Sequence, residues 1–504
     1  MRRTKILATV GPASASPERL SALISAGADA FRLNFSHGSD AEHRTALRRI
    51  HSAARGFRKE VAVVGDVPGP KIRLGEIAGG SVRLTSGRPW VLDDDAAPGN
   101  DARAGIQIPS FAQVAKRGDP VLLGDGSVEL VVEKVLARSL ETRVRNGGIV
   151  SSHTGLFLPR ARLRTSVFAA EDRTDAALGL SEGMDYLALS FVRNGEDLAE
   201  ARHWLDRNGG EEVGLIAKIE RAEALQSIDS ILGAADGIMV ARGDLGIEVP
   251  LERLALEQKR LVRRANLAGK FAVVATQMLL SMLNAPRPTR AEATDVANAV
   301  LDGADAVMLS EESAVGQYPV ESVRWLDRIA RATEPAVDAR PWRSARIGAG
   351  AERAVAAAAV ELAEGVRAKA IVTPTHSGRT ARLVARLHPS CPVVAISSLP
   401  STRRKLALVG GVASLPAPLH RDLVELRTEA LALVERAGIR GPSPIVLTAG
   451  YPVEGRPTNL VTLVDSAPAR PVAPRGGGLR ASSPGPAVHS PRPRAGEALT
   501  RSRR

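Results

Sequence analysis

The chain is short of cysteine, lysine and aromatic side chains, and each shortage closes off a class of function. Cys391 is the single cysteine among 504 residues, so no intramolecular disulfide can form and no thiolate cluster can hold a metal. Only 3% of residues are aromatic, which leaves few platforms for stacking single-stranded bases. No apolar run approaches the roughly 18 residues that span a bilayer, and the opening "MRRTKILATVGP" has no secretory apolar stretch. A soluble, cytoplasmic protein is expected. Ten Lys accompany 58 Arg, so a lysine inside an apolar strand stands out. Neither GxxxxGK[ST] nor a strand-associated GxGxxG occurs, so nucleotide binding by those two phosphate loops has no support.

The formal charge of +13 suggests a nucleic-acid partner until it is divided along the chain. Residues 467–504 hold eight Arg and one Glu, hence +7; the other 466 hold 60 basic and 54 acidic groups, hence +6. More than half of the excess therefore sits in a tail of Pro, Ser, Gly and Arg. That composition cannot bury enough apolar surface to offset its ordering entropy. A disordered tail is expected, on a body with neither a nucleic-acid nor a membrane partner.

What is present is a rhythm. Eight short, nearly continuous apolar runs occur at 5–10, 30–35, 61–67, 186–191, 214–219, 237–241, 271–276 and 306–310. Such runs suit parallel strands buried on both faces, and the stretches between them carry helical periodicity. Eight strands alternating with helices predict an α/β fold of the (β/α)₈ barrel type. Residues 72–158 interrupt the rhythm, rich in Val, Gly, Thr and Arg with turn signals between, and read as an inserted β lid domain, a small barrel. The barrel thus takes 1–71 and 159–342. A separate open α/β domain follows over 343–466, and the tail over 467–504.

Polar residues end the barrel runs: Asn34, Ser36 and His37 the second, Asp66 the third, Lys218 and Glu220 the fifth. Arg242 and Asp244 follow the sixth, Thr276 and Gln277 the seventh, Ser310 and Glu312 the eighth. Barrel geometry points strand ends towards a common centre at the C-terminal rim, where such folds place their catalytic groups. Lys218 and Glu220 are two apart and share a face of their strand. Glu220 and Asp244 are hard oxygen ligands of the kind that hold Mg²⁺. With Lys218 and Arg32 beside them they point to an anionic, phosphorylated substrate. Gly243 would let backbone N–H groups approach that anion closely.

These residues lie in segments that resemble pyruvate kinases: "TKILATVGPAS" (4–14), "RLNFSHG" (32–38), "GPKIRLG" (69–75), "AKIERAEAL" (217–225), "GIMVARGDLGIEVP" (237–250), "ATQMLLSM" (275–282) and "RPTRAEATDVANAVLDGADAVMLS" (287–310). The resemblance covers about residues 1–466 and implies transfer of phosphate from phosphoenolpyruvate to ADP, giving pyruvate and ATP in glycolysis, by a homotetramer. It implies that Lys218 and Arg32 hold the migrating phosphoryl group and that Glu220 and Asp244 ligate Mg²⁺ or Mn²⁺. Gly243, Asp244 and Thr276 would take the substrate carboxylate, with Thr276, Ser310 and Glu312 relaying a proton. Asn34, His37 and Arg73 would line the nucleotide side. The family's K⁺ site would fall on Asn34, Ser36, Asp66 and the Val67 carbonyl. Lys71 replaces the Glu of K⁺-dependent members, so an ammonium can supply the charge and K⁺-independent activity is expected.

The chain departs from the family pattern in its lid, where "HTGLFLPR" (153–160) replaces a motif like "KKGVNLPG", so that Thr154 and Phe157 take the places of Lys and Asn. Pro68 stands where Lys or Gln is usual, and "LSEESAVG" (309–316) where "LSGETAKG" is. "TPTHSGRTAR" (373–382) resembles the loop that binds an effector phosphate in allosteric members, through Thr375, Ser377, Gly378, Arg379 and Thr380. Two other readings compete: an Mg²⁺-dependent lyase or mutase on pyruvate-like acids, which would not need ADP, and a catalytically weak sensor of phosphorylated metabolites.

Overall fold

A computed structural model describes residues 1–465, apart from 71, 107–110, 125, 160–165, 344–349, 419–421 and 451–457. The expected tail and Lys71 therefore lie outside the described residues. Eight strands close into a parallel barrel: β1 Lys5–Thr9, β2 Ala30–Asn34, β3 Ala62–Val67, β4 Tyr186–Leu189, β5 Gly214–Ile219, β6 Gly237–Ala241, β7 Phe271–Ala275 and β8 Ala306–Leu309. Each pairs with its neighbours in sequence, and β1 closes the ring on β8 through Lys5 opposite Ala306. All residues of β1, β3 and β5 are buried, which is why these strands read as unbroken apolar runs. Helices start where the sequence caps them. Ser39 accepts the Glu42 N–H while Glu42 returns a bond to the Ser39 N–H, and Thr289 and Glu292 repeat the device.

Between β3 and β4 a second hydrophobic core draws its members from Ile72 to Leu158, with Trp90 fully buried at its centre. Where a small barrel was expected, the strands form one six-stranded and one two-stranded ladder round that core.

The C-terminal domain is a five-stranded sheet: β9 Ala370–Pro374, β10 Val393–Ser397, β11 Val412–Pro416, β12 Ile445–Ala449 and β13 Leu460–Val464, in the order β11-β10-β9-β12-β13. Strand β11 gave no clear apolar run, being a partly exposed edge strand. β13 runs antiparallel to β12.

This domain seals the barrel floor, the end opposite the catalytic rim. Leu408, fully buried, joins the barrel's inner core with Leu7, Tyr186, Met239 and Met308. Around it Arg403 pairs with Glu60 at 2.6 Å and Arg404 with Asp185 at 2.8 Å. The Tyr186 hydroxyl donates to the Lys405 carbonyl at 3.0 Å and Lys5 Nζ to the Val412 carbonyl at 2.7 Å.

Candidate active site

The C-terminal ends of the strands converge on a cavity of about 100 Å³ lined by Arg32, Asp66, Lys218, Glu220, Asp244 and Thr276, among others. At its centre Lys218 Nζ donates to Ser190 Oγ at 2.8 Å and lies 2.9 Å from Glu220 Oε1 and 3.2 Å from Asp66 Oδ1. Burial favours the neutral amine, yet Asp66 and Glu220 outweigh it and hold the Lys218 pKa above the usual lysine value. The two carboxylates thus favour the charged form of a buried lysine. Asp66 answers to two cations at once: burial pushes its carboxyl up, but Arg32, at 2.5 Å, and Lys218 hold it below the usual range.

Glu220 is balanced differently. Burial raises its carboxyl, Lys218 pulls it down, and the Asp244 charge adds to the rise. Its Oε2 accepts the Phe191 N–H at 2.8 Å. Two carboxylates that repel each other across one cavity fit a divalent cation, which usually takes one or two protein oxygens and completes its shell elsewhere. No group of three or more His, Cys, Asp or Glu side chains suited to a metal exists among the described residues, so the rest of that shell would come from substrate and water.

The end of β7 is strained. Thr276 and Gln277 take φ values of +70° and +53°, costly for a β-branched residue. Arg242 holds the turn, donating to the Thr276 carbonyl at 2.7 Å while paired with Asp295 at 2.6 Å. Thr276 Oγ1 accepts the Gly243 N–H at 2.8 Å, so this amide already has a partner. A Cβ on Gly243 would come within 3.7 Å of the Thr276 side chain, ordinary contact on the cavity side.

Asn34, Ser36, His37, Arg73 and Ser310 also line the cavity. Asn34 Oδ1 accepts the Ser36 N–H at 3.3 Å, and Arg73 donates to the His153 carbonyl of the inserted domain at 3.2 Å. The Ser310 hydroxyl is buried without a hydrogen-bond partner. Glu312 does not line the cavity: its two oxygens accept the Leu279 N–H at 3.0 Å and the Ser310 N–H at 2.7 Å. It braces β7 against β8 from behind. A second cavity of about 310 Å³ opens between barrel and inserted domain, lined by Phe157, Arg193 and Arg221, and shares His37, Arg73 and Asp244 with the first.

Two rim residues escaped the sequence reading. Ser190, just past β4, donates to the Val67 carbonyl at 2.7 Å and receives Lys218. Thr9, at the end of β1, accepts from Arg32 Nη1 at 3.2 Å. The signal was the same one that marks the other six strands, a polar residue closing an apolar run.

A sequence model described as the pyruvate kinase barrel domain matches residues 1–323, and one described as the pyruvate kinase alpha/beta domain matches 353–464. The chain belongs to the pyruvate kinase family. Membership makes it a phosphotransferase. It is 41% identical over 470 residues to the pyruvate kinase of Sporosarcina psychrophila, covering 92% of this chain and 80% of that one. It is 38% identical to that of Thermococcus litoralis over 464 residues, 90% and 96% of the two chains. The crystal structure of a pyruvate kinase from Cryptosporidium parvum superposes with a TM-score of 0.87 at 34% identity, covering 92% and 96%. Within this pyruvate kinase fold the unusual lid residue Phe157 faces the larger cavity, while Thr154 Oγ1 accepts the Ser151 N–H at 3.2 Å.

Proposed function

We propose that the chain transfers the phosphoryl group of phosphoenolpyruvate to ADP in glycolysis, with Mg²⁺ and without a requirement for K⁺. The observation that carries this is the buried Lys218 ammonium, kept charged beside Arg32 and facing the Glu220–Asp244 pair. Phosphoryl transfer asks for positioning and charge stabilisation rather than covalent chemistry. Lys218 and Arg32 neutralise the migrating group; Glu220 and Asp244 would hold the divalent cation, which would supply further positive charge to the phosphoryl oxygens. The substrate carboxylate would take the Asp244 amide and, by exchanging the bonds that join Gly243 N–H to Thr276 Oγ1 and Thr276 Oγ1 to the Ala275 carbonyl, the Gly243 amide and the Thr276 hydroxyl. The P–O bond to the enol oxygen breaks as one to a terminal phosphate oxygen of ADP forms, and the enolate left behind takes a proton at carbon from water, relayed past Thr276 and Ser310. Glu312 acts on that step only by positioning the Ser310 backbone. His37, Arg73 and Asn34 face the nucleotide, whose remainder fits the larger cavity under Phe157.

K⁺ independence draws support from donors already in use. Val67 O is taken by Ser190, Asn34 Oδ1 by the Ser36 N–H, and Asp66 by Arg32 and Lys218. The loop from Thr375 to Thr380 is assigned to an effector phosphate. Thr375 Oγ1 accepts the Gly378 N–H at 2.9 Å, Arg379 pairs with Glu352 at 2.6 Å, and Thr380 meets Thr458 at 2.7 Å. The working enzyme is taken to be a cytoplasmic homotetramer.

The test is pyruvate formation from phosphoenolpyruvate and Mg²⁺, with and without ADP, in K⁺-free buffer. ADP-dependent turnover is expected. Turnover without ADP would mean the lyase, a need for K⁺ would remove the K⁺ claim alone, and silence under all conditions would mean the sensor.

A further inference from the structure

Beside the groups that face the substrate, the rim buries a carboxylate that the mechanism leaves unused. Glu248 ends the seven-residue helix Arg242–Glu248, and its side chain is only 3% exposed. Its Oε1 lies 3.3 Å from Arg221 Nη1, and its Oε2 accepts the Ala222 N–H at 3.4 Å. Burial pushes the Glu248 carboxyl up to about 7, with Arg221 as the main counterweight. A buried ion pair recovers little beyond its own desolvation, so stability alone does not account for this one.

Its place in the chain does. Arg221 and Ala222 directly follow Glu220, and Asp244 stands four residues before Glu248. Residues four apart share one face of a helix. The face that carries Asp244 into the cavity beside Glu220 therefore also carries Glu248 to Arg221 and Ala222. Glu220 and Asp244 repel each other, since the Asp244 charge helps to raise the Glu220 carboxyl. The helix bearing Asp244 has little to hold it against that repulsion. Leu245 is its one buried side chain, and seven residues are too few for a helix to stand by itself. Its first residue, Arg242, is tied to the Thr276 carbonyl after β7 and to Asp295. Its last, Glu248, is tied to the segment after β5.

We propose that the Arg221–Glu248 pair is a positioning device for the divalent cation: it clamps the Asp244 helix to the end of β5, so that Glu220 and Asp244 keep one spacing despite their repulsion. Both side chains act through the two carboxylates and not by touching the ion. The proposal rests on the assignment of Glu220 and Asp244 to that cation.

The test is electron paramagnetic resonance of Mn²⁺ titrated into the full-length protein without substrates, for wild type, Arg221→Gln, Glu248→Gln and the double variant. Charge and position predict different patterns. By charge alone, Arg221→Gln leaves an extra negative group near the ion and would tighten Mn²⁺, Glu248→Gln would weaken it, and the double variant, with the pair's net charge unchanged, would match wild type. By position, all three release the helix, and Kd should rise about tenfold or more in each, as for other groups that hold a metal's ligands. The double variant leaves no buried charge unpaired, so it should fold even where a single one does not. Tighter binding in Arg221→Gln, or wild-type affinity in the double variant, would overturn the proposal alone. A wild type that binds no Mn²⁺ would remove the metal assignment and this proposal with it.

Discussion

Ser190 and Lys218 meet at 2.8 Å with their hydrogen-bonding roles settled by a third group. The serine proton is spent on the Val67 carbonyl at 2.7 Å, so the hydroxyl can offer Lys218 only a lone pair. With Asp66 and Glu220 as its other partners, the three ammonium donors each have an acceptor. The lysine is therefore aimed as well as charged.

Ser190→Ala removes one acceptor from that ammonium and leaves the Val67 carbonyl without its hydroxyl. The loss of a hydrogen bond to a charged group is worth about 1.5–3 kcal/mol. We expect kcat to fall by about ten- to a hundredfold, the equivalent in rate. Steady-state kinetics beside a thermal melt would check it, since a folding defect alone would lower the active fraction and shift the melt together.

Lys218→Met should abolish phosphoryl transfer while far-UV circular dichroism stays native. The variant should also be less stable at neutral pH, because removing one partner of a buried ion pair costs about 3–5 kcal/mol. Asp66 keeps Arg32, whereas Glu220 is left beside Asp244 with its carboxyl already raised by burial. Acidification should recover part of the lost stability as Glu220 takes a proton. Wild-type turnover in this variant would remove Lys218 from the mechanism.

Leu408→Ala should destabilise the barrel and the C-terminal domain together. The side chain belongs to one domain but fills the core of the other. Truncating a fully buried leucine costs about 2–5 kcal/mol. A single melting transition shifted downward is the expected calorimetric result; two separated transitions, with the barrel's unmoved, would contradict the shared core.

Asp305 makes stability depend on pH. Burial pushes its carboxyl up to about 6, against the Ala272 and Gly410 N–H groups that it accepts. The folded value lies above the unfolded one of about 3.9. Its contribution is thus fully present below about pH 4 and is lost as pH rises through 6. Asp305→Asn has no such term. The melting temperature of wild type minus that of the variant should grow as pH falls from 7 to 5, and a constant difference would refute it.

Much of the site was legible along the chain because strand ends in a closed parallel barrel share one destination. Lys218 and Glu220 were found by their spacing at the end of β5, Asp66 by its place at the end of β3 and Asp244 by its place after β6. The same rule would have yielded Ser190 and Thr9. Glu312 shows its limit: a carboxylate three residues past β8 can face the cavity or turn back onto amides, and only the Leu279 and Ser310 N–H groups decide which. Strand β11 was missed because a partly exposed edge strand lacks the continuous apolar run that marks the others.

By itself the sequence determined the order of the elements, since buried strands must be apolar throughout and helices must present a stripe. It also determined which polar residues the rim would receive. Only the tertiary structure decided how charges are shared there: Asp66 between two cations, Ser190 between ammonium and carbonyl, Thr276 held in a left-handed turn by Arg242. It alone brought Leu408 under the barrel and Glu248 beside Arg221. Local patterns act over a few residues, whereas these contacts join segments far apart in the chain, and their geometry exists only once both are folded.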